Sequence, residues 1–108
     1  MRTQFTLTLI LSFIFSFSFA QKGELSGIVK DAEFNDVLPF ANIIVKDLNS
    51  GTTSDFDGIY TITLNPGTYT IVFKFLGYTT TEVTGIIIKA DDVNNVDISL
   101  QPASANLE

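Results

Sequence analysis

The chain has 108 residues, enough for one domain and too few for two, and its twelve acidic residues outweigh six basic ones to give a formal net charge of −6. Histidine and cysteine are both absent, which removes Ser–His and Cys–His nucleophile pairs, the usual zinc sites, haem ligation and disulfide staples. The acidic balance excludes the basic footprint that nucleic acid or an anionic lipid surface requires.

The first segment reads apart from the rest. Arg2 is the only charge before Lys22, Phe5 to Phe19 is almost wholly Leu, Ile, Phe, Ser and Thr, and Ser18-Phe19-Ala20 sets small residues at the −3 and −1 positions of a cleavage site. A basic tip, an apolar run and a small-x-small exit describe a secretory signal peptide over residues 1–20, cut between Ala20 and Gln21. A membrane anchor would need about 20 apolar residues. This run is shorter and dotted with hydroxyls, and no positive cluster follows it. Without a cysteine there is no residue to acylate, so lipoprotein export is excluded. The mature part keeps five lysines against twelve acids and must hold together on apolar burial alone.

From Gly23 onward the sequence alternates with period two, broken by turn residues every eight to twelve positions. Leu25 and Val29 alternate with Ser26 and Lys30, predicting a strand over 23–31. Ala41, Ile43 and Val45 predict a second over 40–47; Ile44 interrupts its polar face and predicts cover on both sides. Asp47 to Gly51 is turn chemistry. Tyr60, Ile62 and Leu64 alternate with threonines before Asn65-Pro66-Gly67-Thr68, and Tyr69, Ile71, Phe73 and Phe75 alternate after it. Proline then glycine at the two central positions predicts a type II turn, and with it a hairpin. Thr79–Val83 and Gly85–Lys89 predict two more strands, Asp91–Asn95 a polar turn, and Val96–Gln101 a last strand stopped by Pro102. No window carries a helical period. The expectation is an all-β, seven-stranded antiparallel Greek-key sandwich over 21–101, with 102–108 as a linker or frayed tail.

Few residues could carry chemistry. Asp55-Phe56-Asp57-Gly58 has the opening of a calcium loop, which makes Asp55 and Asp57 candidate ligands. Threonine at 53 and leucine at 64 stand where that loop needs oxygen donors, and the simpler reading is an acidic turn with Gly58 in a conformation other residues resist. Tyr60, Tyr69 and Tyr78 could stack on sugars, but tryptophan is absent and Tyr60 and Tyr69 share the face of Ile62 and Ile71, which favours core packing. No phosphate-cradling glycine loop opens a helix. A paired-carboxylate cleft is not expected in so small a sandwich. The residues therefore point to no enzyme, no cofactor and no catalytic site.

Gly27-Ile28-Val29 with Asp31, Leu38-Pro39-Phe40-Ala41-Asn42-Ile43, Gly51-Thr52-Thr53-Ser54-Asp55-Phe56-Asp57-Gly58, Asn65-Pro66-Gly67-Thr68-Tyr69, Phe73-Lys74-Phe75-Leu76-Gly77-Tyr78 and Val96-Asp97-Ile98-Ser99-Leu100 follow one another in an order that resembles the carboxypeptidase regulatory-like domain, a transthyretin-type sandwich. The likeness covers residues 23 to about 101. One departure is Phe40, where the family often has glycine, and it predicts tighter packing there. The family carries no catalytic residues of its own. A signal peptide directly before such a domain is similar to the amino terminus of TonB-dependent outer-membrane receptors, where the domain lies in the periplasm ahead of plug and barrel, and the closing Asn106-Leu107-Glu108 is similar to the run that leads onward in those receptors. The resemblance implies an accessory domain acting through protein contacts with the plug, the barrel or the energising partner. A free-standing secreted or surface module binding protein or carbohydrate, and the accessory domain of a peptidase, are the alternatives it leaves.

Overall fold

Gly-Glu-Leu-Ser-Gly-Ile-Val-Lys-Asp alternates without a break, and it forms the longest strand of the computed structural model, which describes residues 21–103. This strand, β1 (Gly23–Asp31), turns Leu25 and Val29 into the core and leaves Glu24, Ser26, Ile28 and Lys30 half-buried on its other face. Seven more follow: β2 (Asn42–Val45), β3 (Ser50–Thr53), β4 (Ile59–Leu64), β5 (Gly67–Lys74), β6 (Thr81–Ile88), β7 (Val93–Asn95) and β8 (Ile98–Leu100). They make two four-stranded sheets. In one, β1 has β4 antiparallel on one flank and pairs in parallel with β7 and then β8; the other runs β3-β2-β5-β6. The expected signal peptide over 1–20, with Ala20 at its expected cleavage site, falls outside the described residues.

The core lies between the sheets. Leu25, Val29, Tyr60, Ile62, Leu64 and Leu100 from the first meet Ile43, Val45, Ile71, Phe73, Ile86 and Ile88 from the second, all buried. Tyr60 and Phe73 meet edge-on across the gap, with ring centroids 5.6 Å apart. Gly27 is required in β1 because any Cβ there would run into the Val96 carbonyl and the Tyr60 ring. The exposed Lys46–Glu82 ion pair at 3.2 Å adds little.

The all-β sandwich stands, but it has eight strands rather than seven, β7 and β8 run parallel to β1 rather than antiparallel, and several local expectations do not hold. β4 and β5 are not a hairpin: β4 pairs with β1, and β5 with β2 and β6. Asn65-Pro66 carries the chain from one sheet to the other, and Gly67 has no positive φ, so the turn is not type II. The Tyr69 hydroxyl donates to the Asn65 carbonyl at 2.7 Å and closes this corner, as tyrosines do in other sandwiches. Ser50–Thr53 is a strand although its residues are polar, because β2 supplies a partner edge. Thr81–Ile88 is one strand rather than two. Gly85, at φ 72°, forms a bulge opposite the register shift between Tyr69 and Ile71. Val93–Asn95 leaves the predicted turn and pairs with β1, and the last strand shortens to β8. Ile44 is 36% exposed, so its sheet face is open to solvent.

A candidate interaction surface at one pole

Strand directions bring four segments to one end of the sandwich: the β1–β2 connection (32–41), the β3–β4 loop (54–58), the β5–β6 loop (75–80) and the outgoing residues 101–103. Asp31 organises this pole. It ends β1 on the core-facing side, and a carboxylate buried there must be fully partnered. Its Oδ1 accepts the Glu33 N–H (2.6 Å) and the Phe34 N–H (3.0 Å), while Oδ2 accepts the Tyr78 hydroxyl (2.5 Å). The Tyr78 hydroxyl, then the Phe34 N–H, hold the Asp31 carboxyl below its ordinary range. The same bond, followed by burial and nearby carboxylates, pushes the Tyr78 phenol up. One side chain thus ties the β1–β2 and β5–β6 connections together. Beyond it, Pro102 bridges Tyr78 and the Ala103 N–H donates to the Gly77 carbonyl at 2.8 Å, so the last described residues lie at this pole.

Ser54 pins the next layer. It is 1% exposed; its Oγ donates to the Leu38 carbonyl (2.6 Å) and accepts the Ala41 N–H (2.8 Å), and its own carbonyl accepts the Phe40 N–H (3.0 Å). These bonds hold Phe40 at φ 64°, a left-handed conformation that costs a bulky side chain about 1–2 kcal/mol. The expected tighter packing does not occur. Phe40 is 55% exposed and lies edge-on against Phe56, 5.1 Å between centroids, which is itself 78% exposed. The substituted side chain takes the backbone geometry that suits glycine and projects outward.

Asp55 Oδ1 accepts the N–H groups of Asp57 and Ile59, both at 2.9 Å, which is how an acidic turn caps itself. Gly58 completes it at φ 77°. Among the described residues no group of three or more acidic side chains converges on a point where an ion could sit. All three tyrosine hydroxyls are used internally, Tyr60 donating to the Val96 carbonyl at 2.6 Å, and burial, with the Asp97 charge second, pushes the Tyr60 phenol well up. Among the described residues, shallow depressions lie beside Asn42–Ile44 and Gly51–Thr53, about 390 Å³, and beside Ser26–Ile28, Ile59, Asn95 and Asp97, about 330 Å³. In the second, the Ser26 hydroxyl donates to the Tyr60 carbonyl at 3.1 Å and Asp97 Oδ1 accepts the Ile28 N–H at 3.0 Å.

The CarboxypepD_reg-like domain pattern matches residues 25–108. The chain belongs to that family. A TonB-dependent receptor of Formosa agariphila is 38% identical over 102 residues, 94% of this chain and 10% of the receptor. The TonB-dependent receptor SusC of Bacteroides thetaiotaomicron is 37% identical over 79 residues, covering 68% of this chain and 8% of SusC. Carboxypeptidase D of Homo sapiens is 33% identical over 78 residues, covering 72% and 6%. The chain therefore spans a tenth or less of the length of these relatives. Among solved structures, a type II cohesin–X-dockerin complex from Acetivibrio cellulolyticus superposes with a TM-score of 0.61 at 18% identity, over 69% of this chain and 51% of that one. The Bacillus anthracis TIE protein does so with a TM-score of 0.59 at 20% identity, over 76% and 17%. At such identities the likeness is one of fold. This CarboxypepD_reg-like domain shares its sequence with receptors and with a peptidase, and its sandwich with proteins of other kinds.

Proposed function

We propose that this chain is the amino-terminal accessory domain of a TonB-dependent outer-membrane receptor, exported by residues 1–20, lying in the periplasm and acting by protein contact without catalysis. The observation that carries this reading is the 38% identity to such a receptor over 94% of the chain. The site chemistry agrees with it: the chain has no histidine or cysteine, and its depressions are shallow. The transported substrate would be selected elsewhere in the receptor. The test is protease accessibility with an antibody against residues 21–103. In intact cells the epitope stays protected from external protease, and it is cut once the outer membrane is permeabilised. Release of the epitope into the medium would refute the reading and favour a free-standing module. The peptidase alternative rests on the 33% identity to carboxypeptidase D, and it requires zinc-dependent peptidase activity in the same polypeptide.

A further inference from the structure

The two ends of the sandwich are unlike. At the pole built by Asp31 and Ser54, Phe34 is 70% exposed, Phe40 55%, Phe56 78% and Leu76 94%; among the described residues the opposite end shows Leu48, Ile87 near the end of β6 and Val93 at the start of β7 as large exposed apolar residues, none of them aromatic. Phe40 is held outward in a strained backbone conformation by bonds from buried groups, so its exposure is built into the fold rather than left over from packing. Around these rings the pole's connecting segments carry four exposed carboxylates, Glu33, Asp36, Asp55 and Asp57, and neither lysine nor arginine. An apolar centre inside an acidic rim is complementary to polypeptide that sets apolar side chains beside lysine or arginine. It repels anionic lipid and nucleic acid.

Area decides whether such a partner comes from another molecule or from the same one. At about 200 Å² per ring, the exposed parts of Phe34, Phe40 and Phe56 offer roughly 400 Å², half of the ~800 Å² per partner of a stable interface between separate proteins. A patch of that size needs a tethered partner, for which a short linker supplies an effective concentration on the order of millimolar. The tether starts at the right place, since Ala103, the last residue described, lies at this same pole, bonded to Gly77. We propose that the Phe34–Phe40–Phe56 pole seats a basic-apolar segment of the receptor polypeptide that follows this domain in the same chain. This rests on the receptor reading above, and it names the surface and the partner.

The test uses the receptor as its own gene expresses it, with a photo-cross-linking residue at position 56 or, as a control, at position 48. Position 56 should cross-link within the same polypeptide, to peptides containing lysine or arginine, at least fivefold more than position 48. Phe56→Ser and Phe40→Gly, tested with the cross-linker at position 34, should each lower that yield severalfold without lowering the melting temperature of the isolated 108-residue chain. Raising salt should lower it as well. Equal yields from positions 56 and 48, or cross-links from 56 to a second protein, overturn the proposal while leaving the receptor reading intact. Detection of residues 21–103 only in a polypeptide the size of this chain overturns both.

Discussion

Replacing Ser54 with alanine should damage this domain more than any other single-atom deletion on its surface loops. The Oγ holds two backbone groups that no other partner reaches, the Leu38 carbonyl at 2.6 Å and the Ala41 N–H at 2.8 Å, and the side chain is 1% exposed. A buried group stripped of its hydrogen bond costs about 1–3 kcal/mol, more for an N–H than for a carbonyl with two lone pairs. The two together give about 2–4 kcal/mol for Ser54→Ala. A domain of this size has roughly 4–12 kcal/mol in total, so the loss is a large share. Urea unfolding followed by circular dichroism reads it: at a slope of about 1 kcal/mol/M the midpoint should fall by roughly 2–4 M with the slope unchanged. Thr53→Ala, exposed on the neighbouring residue, should stay within about 0.5 kcal/mol. A loss for Ser54→Ala below about 0.5 kcal/mol would mean that water replaces the hydroxyl, and the pole would not be pinned as described.

Phe73→Ala removes a fully buried ring that packs on Tyr60 and should destabilise by about 3–5 kcal/mol in the same unfolding assay; under about 1 kcal/mol would mean that Phe73 does not face the core. Because the folded Asp31 carboxyl titrates below its unfolded value, it stabilises the domain above about pH 4 and that contribution is lost as pH falls through the folded pKa. Asp31→Asn should therefore be less stable than wild type at pH 7 and show a shallower loss on acidification below pH 4; parallel curves would contradict the Tyr78–Asp31 pairing. Tyr60 and Tyr78 titrate above their unfolded value, so stability should hold to about pH 10 and fall above it, with Tyr60→Phe blunting that fall. Excess chelator should leave the melting temperature unchanged, because Asp55 Oδ1 is spent on two N–H groups; a drop would restore Asp55 and Asp57 as calcium ligands.

The sequence made legible what depends on local period. Alternation in β1, in β4 and in the second half of β5 predicts which residues face the core, and Tyr60, Ile62, Ile71 and Phe73 face it. Pairing is different, because it depends on partners far along the chain. Asn65-Pro66-Gly67 signals a turn equally well whether the flanking strands pair with each other or part to opposite sheets. The choice was made by β1, whose Leu25 pairs with Ile62 37 residues away. Ser50–Thr53 and Val93–Asn95 are polar and turn-like, and they become strands only because β2 and β1 present free edges.

The pole was the least legible part. Asp31 and Tyr78 lie 47 residues apart, and nothing in the neighbourhood of either residue indicates the bond. Ser54 is one serine in a run of small polar residues; only its burial against Leu38 and Ala41 sets it apart. A single signal did exist at Phe40, a bulky residue where the family resemblance implied glycine, but its physical meaning was the reverse of added packing. The ring is turned out, and the backbone bears the strain.

The size of the mature polypeptide that carries residues 21–103 tests the central claim most directly. An antibody to that segment, applied to purified outer membranes, should detect a protein about ten times the length of this chain, as the 10% coverage of the Formosa agariphila receptor predicts. A product no larger than the 108-residue chain would contradict the assignment to a TonB-dependent receptor.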